Sequence, residues 1–275
     1  MQALRKILFK LLIERFPFVF NVYRRLQNWC WFFHKPRKNR HGFLFVGRKD
    51  METGEFEAAE VGMLLDCLRG EVTHVVNVGA NCGYYSCLAR SLGKRVIAVE
   101  PLPLNFRLLL RNFVINGWND VEAYPVGISS KPGITKLFGA STQASLIPGW
   151  SSDNSSHYSL IPVTTLDLLL GDRLDGKKTI FIIDIEGAEY NLLKGATRQL
   201  KILPRPIWFV EICAGDFQPK GISVNPTLLP TFEVFWQHGY TCHMLAEKRV
   251  PIERSQVVEW SQGKNLPQYY NFIFQ

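Results

Sequence analysis

His74-Val75-Val76-Asn77-Val78-Gly79-Ala80-Asn81-Cys82-Gly83-Tyr84-Tyr85-Ser86 begins as an apolar run and breaks at a glycine. A run this short, closed by glycine, suits a strand buried in a parallel sheet. Gly79 and Gly83 permit a tight turn and close backbone approach by a ligand. Helical spacing resumes over Tyr84 to Leu92, so the unpaired amides of a helix start face whatever is bound there. The same strand–turn–helix unit recurs downstream. Arg95 to Val99 is a second strand, closed by Glu100 and Pro101, and Leu104 to Ile115 is helical.

The alternation continues along the chain. Phe56 to Leu68 reads as a helix before the first strand. Val121 to Val126 is a third strand, followed by Gly127. Thr165 to Leu170 is a short helix, Thr179 to Ile183 a fourth strand ending at Asp184, and Tyr190 to Leu203 a helix. Ile207 to Val210 is a fifth strand ending at Glu211, Leu228 to Gln237 a helix, and Tyr240 to Leu245 and Asn271 to Phe274 the last two strands. Residues 139 to 159, rich in Ser, Gly and Trp, read as a long loop. Seven strands alternating with helices predict an α/β fold, a mostly parallel seven-stranded sheet with helices on both faces. Ligands then bind beyond the carboxyl ends of the strands, where Glu100, Asp184 and Glu211 stand.

Glu100 follows Gly79 by 21 residues, and a carboxylate there accepts both hydrogen bonds of a ribose diol. Nicotinamide enzymes share that pairing, so an NAD(P)-dependent oxidoreductase is an alternative. The loop argues against it: G-A-N-C-G lacks the third glycine that admits a pyrophosphate.

The set of motifs resembles the FkbM family of methyltransferases. Val78 to Ser86, Ala98-Val99-Glu100-Pro101-Leu102-Pro103 with Asn112 and Asn116, Ile183-Asp184-Ile185-Glu186-Gly187-Ala188-Glu189 with Leu193-Lys194-Gly195-Ala196, Glu211-Ile212 and Asn271 to Phe274 are similar to its blocks, in order. The resemblance implies a Rossmann-like class I methyltransferase fold and S-adenosyl-L-methionine as cofactor. It implies methyl transfer to a hydroxyl, on a sugar, glycan or similar small acceptor. It places Asn77, Gly79, Ala80, Asn81, Gly83, Tyr84, Glu100, Pro101, Gly127 and Asp184 around the cofactor. Asp184 and Glu186 are candidate bases, and Glu211 orients substrate or, with Asp184, binds a divalent cation. No ligand set for that metal is legible. The family has Asp where this chain has Asn77, which loses the charge facing the cofactor's amino group, and often His where it has Cys213. These departures keep a second alternative in view, a catalytically degenerate cofactor-binding scaffold. In the long loop, Ala144-Ser145-Leu146 is similar to a serine segment of the family, and Trp150 or Tyr158 could stack on a sugar.

Charge separates the chain into two parts. Residues 1–40 carry ten of the 32 Lys and Arg and one acid, Glu14, whereas residues 41–275 carry 22 basic and 23 acidic residues. The body is therefore near neutral, unlike a nucleic-acid-binding domain. After Asp184 no N-P-P-Y-type segment or P-C pair for a flipped base follows. We read 1–40 as a basic amphipathic extension and 41–275 as the methyltransferase domain. Leu4, Ile7, Leu8, Leu11 and Leu12 recur at helical spacing among Arg5, Lys6 and Lys10, and a second phase follows Pro17 with Trp29 and Trp31. No charge-free stretch there approaches the roughly 20 residues of a spanning helix. Such a segment suits a peripheral position on anionic lipid, through residues 1–33, or packing on a protein surface. Lys35 to Arg40 reads as a linker. Cysteines 30, 67, 82, 87, 213 and 242 form neither a C-x-x-C pair nor a zinc spacing, which points to a reducing, cytoplasmic compartment, at the inner face of a membrane if the extension binds lipid.

Overall fold

The computed structural model describes residues 34–139, 143–151, 158–246 and 248–275. The amphipathic reading of residues 1–33 lies outside them. Lys35 to Arg40 is not a free linker: β1 (Arg37–Lys38) pairs antiparallel with β2 (Leu44–Phe45) of the body.

Eight strands form the main sheet. β3 (His74–Val78), β4 (Arg95–Val99), β5 (Glu122–Tyr124), β9 (Thr179–Ile183) and β10 (Ile207–Glu211) run parallel. β13 (Asn271–Phe274) inserts antiparallel between β10 and β11 (Cys242–Leu245). The seven expected strands thus lie in the order third, second, first, fourth, fifth, seventh, sixth. An additional short strand, β12 (Arg249–Pro251), extends the β11 edge and makes the sheet eight-stranded rather than seven-stranded.

Strand alternation divides the core. Val76, Val78, Phe181, Ile183, Trp208 and Val210 face one apolar layer, which includes α5 (Leu166–Leu170), α7 (Leu228–Gln237) and α8 (Arg254–Ser261). Val75, Ile180, Ile182 and Phe209 face the other, which includes α2 (Ala58–Arg69), α3 (Tyr84–Ser91) and α4 (Pro103–Val114). A five-residue helix, α1 (Lys49–Thr53), precedes α2. Asn112 on α4 and Asn116 just past its end hold residues 44–46 like an added strand. The Asn112 amide accepts from Val46 N at 2.8 Å and donates to the carbonyls of Val46 at 3.0 Å and Cys82 at 2.8 Å. Asn116 accepts from Leu44 N at 2.8 Å and donates to its carbonyl at 2.7 Å.

Two readings are corrected. The helix expected over Tyr190 to Leu203 ends early, as α6 (Glu189–Lys194), because Gly195 packs where a Cβ would lie 2.5 Å from the Ser129 carbonyl oxygen; a 3-10 turn (Gln199–Lys201) follows. The long loop is flanked by strands. β7 (Gly133–Phe138) and β8 (Tyr158–Thr164) form an antiparallel hairpin, and β6 (Gly127–Ile128) pairs with β8 in a separate three-stranded sheet. Leu137, Ile161 and Val163 of that sheet bury against Leu102.

Candidate active site

The order of the main sheet reverses between β3 and β9, and a cavity opens at the carboxyl ends of these strands. Val78, Gly79 and Asn81 come from the β3 turn, Glu100, Pro101 and Asn105 from the β4 turn and α4, and Asp184, Ile185 and Glu186 from the end of β9. Val126, Gly127 and Ile128, with Leu137, Ala144 and Leu146, add a largely apolar wall. Apolar walls with few convergent polar groups are the character of a small-molecule site.

The turn is shaped by its neighbours. Gly79 has φ +80°, and a Cβ there would overlap the Asp184 carbonyl oxygen. Gly83 has φ +92°, and a Cβ would lie 2.5 Å from Leu109. The two glycines therefore let three chain segments converge under the cavity, and only Gly79 lines it. Asn81, also at positive φ (51°), braces itself by accepting Cys82 N at 2.8 Å.

Glu100 is 5 % exposed. One carboxylate oxygen accepts Asn81 N at 2.8 Å and the other Leu102 N at 2.8 Å, so each keeps lone-pair capacity while the plane of the group is fixed. Burial pushes its pKa up to about 7, against the opposing pull of the Leu102 and Asn81 amides and Asn105.

Glu186 has φ +55°, a non-glycine residue in the left-handed region. Its backbone oxygen accepts Ser145 Oγ at 2.5 Å, and its carboxylate accepts Trp150 Nε1 at 2.6 Å. The indole packs on Gly187, where a Cβ would lie 2.5 Å from the ring. Trp150 is thus a 6 % exposed plug and not an open stacking surface. Tyr158, on β8, carries the Lys136 ammonium 4.1 Å above its ring, away from the cavity lining. Glu189 is buried and accepts Gly187 N at 2.9 Å, as expected for a first-turn acid; burial raises its pKa to about 7.

Asp184 lies one step past the register pair Ile183–Val210, which sets it beside Glu211 across β9 and β10. Burial together with Glu211, Glu186, Glu57 and Glu189 pushes the Asp184 carboxyl well above the carboxylate range, and Glu211 is raised to about 8, by burial first and then by Glu186, Glu57 and Glu189. Glu211 contacts Cys213 Sγ at 3.6 Å and does not line the cavity. Among the described residues no group of three or more His, Cys, Asp or Glu is arranged to hold a metal ion, so a divalent cation between Asp184 and Glu211 finds no third protein ligand of these types.

Of the expected cofactor residues, Gly79, Asn81, Glu100, Pro101, Gly127 and Asp184 line the cavity. Asn77, Ala80, Gly83 and Tyr84 do not. Asn77 is 1 % exposed and donates to Ser86 Oγ at 2.9 Å, because its place on β3 directs it toward α3. Tyr84 is enclosed by His41, Phe43, Phe45, Phe56 and Tyr85. Asn105, Ile128 and Leu137 were not anticipated. Asn105, five residues past Glu100 and inside the first turn of a helix, was the one with a legible signal.

A sheet with this strand order, a glycine turn after its first strand and an inward acid after its second defines a Rossmann-like class I methyltransferase fold. The chain belongs to the FkbM methyltransferase family: the family model described as the methyltransferase FkbM domain matches residues 77–242. No curated protein matches the chain in sequence. Among solved structures, it is similar to the precorrin-6y C5,15-methyltransferase of Geobacter metallireducens, with 14 % identity, a TM-score of 0.44, and coverage of 84 % of this chain and 94 % of that one. An O-methyltransferase of Bacillus cereus in complex with SAH aligns with 12 % identity and a TM-score of 0.44 over 79 % of each chain. Fibrillarin of Aeropyrum pernix, with natively bound S-adenosyl-L-methionine, aligns with 9 % identity and a TM-score of 0.40 over 74 % of this chain and 66 % of that one.

Proposed function

We propose that this protein transfers a methyl group from S-adenosylmethionine to a hydroxyl oxygen of a sugar or glycan. The observation that carries the reading is the cavity itself. On one wall Glu100 is locked by two backbone amides with lone pairs to spare, and at the other end stand Asp184 and Glu186. The residues present fit the cofactor. Glu100 suits a ribose diol, the apolar wall of Val126, Ile128, Leu137 and Leu146 suits a flat base, and no glycine-lined cradle for a pyrophosphate is needed.

When bound, the sulfonium supplies a methyl group whose leaving group is a neutral thioether. What remains for the protein is alignment and a place for the hydroxyl proton. Asp184, at the strand end, is the first candidate to receive that proton. Glu186 is held by Trp150 and Ser145, which suits it to fixing the far wall. Glu211, beside Asp184 and outside the cavity lining, bears on the acceptor only through Asp184.

The test is incubation with methyl-labelled S-adenosylmethionine and fractionated cell glycans, comparing wild type with Asp184→Asn. Label should enter a carbohydrate fraction and fall by about 100-fold or more in the variant, the lower range for loss of a general base. Label in no fraction, with S-adenosylhomocysteine still bound, would favour the cofactor-binding scaffold.

A further inference from the structure

Residues 144–150 run as one strap between two cavities. Ala144 and Leu146 line the cofactor cavity, whereas Ile147 and Trp150 line a second one. Glu186 belongs to the first cavity and the next residue, Gly187, to the second. The strap is fastened at that junction: Ser145 Oγ donates to the Glu186 carbonyl at 2.5 Å, and Trp150 Nε1 donates to its carboxylate at 2.6 Å. Its far end is seated on the loop between β10 and α7. Ser151 N donates to the Phe217 carbonyl at 2.7 Å, with both residues at positive φ (62° and 61°), and a Cβ on Gly149 would lie 3.4 Å from Pro219. Non-glycine residues persist in that region only where the surrounding structure holds them.

The opening of α6 and the same loop complete the second cavity. Trp150, Tyr190, Pro219 and Ile222 make its walls ring-bearing and apolar, and Asn191 and Gln218 add two side-chain amides. Among the described residues Asn191 makes no hydrogen bond through its carboxamide. Gln218 spends one N–H on the Asp216 carbonyl at 3.0 Å, and its oxygen accepts from no described residue. Asn225, by contrast, is fully engaged in shaping the loop. It donates to the Cys213 carbonyl at 3.1 Å and accepts from Thr227 N and Oγ1 at 2.8 Å each. No charged side chain lines the cavity, and the Lys194 ammonium, one turn along α6, is engaged over the Tyr190 ring at 4.8 Å.

We propose that the second cavity is an acceptor subsite that holds a neutral pyranose ring, the sugar unit adjoining the one methylated. The inference rests on the reading of the protein as a sugar O-methyltransferase. A pyranose offers apolar C–H faces to ring-bearing walls, and its hydroxyls both donate and accept, roles that a carboxamide answers together. A sugar phosphate or uronate would bury its charge with no lining cation to meet it. A ring seated here is partitioned from Asp184 by Glu186 and the Trp150 indole, so the reacting hydroxyl belongs to its neighbour. The acceptor is therefore a glycoside of at least two rings, gripped through the ring that does not react.

The experiment is saturation-transfer NMR on the full chain with S-adenosylhomocysteine. Its probes are the methyl glycosides of glucose, galactose and mannose, set against glucose 6-phosphate and glucuronate. At least one neutral glycoside should bind, and the charged pair about tenfold more weakly. Asn191→Ala should weaken that binding about fivefold, the worth of one hydrogen bond. Ile222→Asp, at a position 41 % exposed, should weaken it at least as much, while S-adenosylhomocysteine affinity stays within about twofold in both variants. With the carbohydrate fraction that takes methyl label, Asn191→Ala should raise KM about fivefold and leave kcat unchanged, and the labelled product should contain two or more rings. Binding by no neutral glycoside, equal binding by the charged pair, binding unchanged in both variants, or label on a free monosaccharide would each overturn the proposal. Sugar binding that the variants weaken, with no label transferred by the wild type, would uphold the subsite and overturn the transferase reading.

Discussion

Glu100 makes cofactor affinity sensitive to pH in a defined direction. Only its ionised form accepts hydrogen bonds on both oxygens, and its pKa is about 7. Affinity should be flat above that value and fall as pH drops through it. Calorimetry with S-adenosylhomocysteine should give a Kd about tenfold higher at pH 6 than at pH 8, as a single ionisation near neutrality requires. Glu100→Gln should bind weakly at both values and lose the dependence; a wild-type Kd that does not change with pH would contradict this role. Gly187→Ala tests the other end of the cavity. The added Cβ meets the Trp150 ring in a backbone with φ +93°, so the indole should leave Glu186. We expect a loss of about 1–3 kcal/mol by thermal or urea unfolding, the range for overpacking and left-handed strain. Trp150 emission should shift to the red in the variant.

Among the elements, the β3–turn–α3 unit was legible because a glycine closes a purely apolar run, and Glu100 because it ends the next such run. The β7–β8 hairpin was not. Pro162 interrupts β8, and Leu160 and Ile134 point outward at 67 % and 77 % exposure, so apolar alternation marks no buried face there. Early termination of α6 was equally hidden, since it depends on the Ser129 backbone approaching Gly195 across the fold. Asn77 shows the limit at the site itself. Its position in the motif suggested a cofactor contact, but which face of β3 it occupies is fixed by strand phase, and that phase directs it to Ser86. The asparagine clamp makes a prediction of its own. Asn112→Ala removes three buried hydrogen bonds to residue 46 and residue 82, and should lower stability by about 2–4 kcal/mol. Hydrogen exchange over 43–47 should rise more than over β3; equal protection would argue against the clamp.

Crowded carboxyls give the protein an unusual stability profile. Asp184, Glu211, Glu189, Glu186, Glu100 and Glu57 all hold their protons to higher pH in the fold than in the open chain, whose carboxyls titrate near 4–4.5. The folded state therefore binds more protons between about pH 4.5 and 8, and its stability declines as pH rises through that window. His41 and His74, both lowered mainly by burial, oppose this near pH 6.5. The cofactor-free protein should melt at a higher temperature at pH 6.5 than at pH 8.5, and Asp184→Asn should flatten the difference. No helix among the described residues is long and apolar enough to cross a membrane. Our proposal that residues 1–33 lie on anionic lipid is tested by deleting them, which should abolish sedimentation with anionic liposomes. Retained sedimentation would place the contact on the body.

His34 is tied by its carbonyl to Arg111 at 2.5 Å, and residues 44–46 are tied to Asn112 and Asn116. Arg111 and Asn112 belong to α4 and Asn116 lies just past its end; the opening turn of that helix supplies Asn105 to the cavity. His34 is consequently fastened to the back of the same rod whose front end helps shape the ligand's chamber. A tether fastened there, to lipid or to protein, would fix the direction in which the chamber's mouth is presented to incoming molecules.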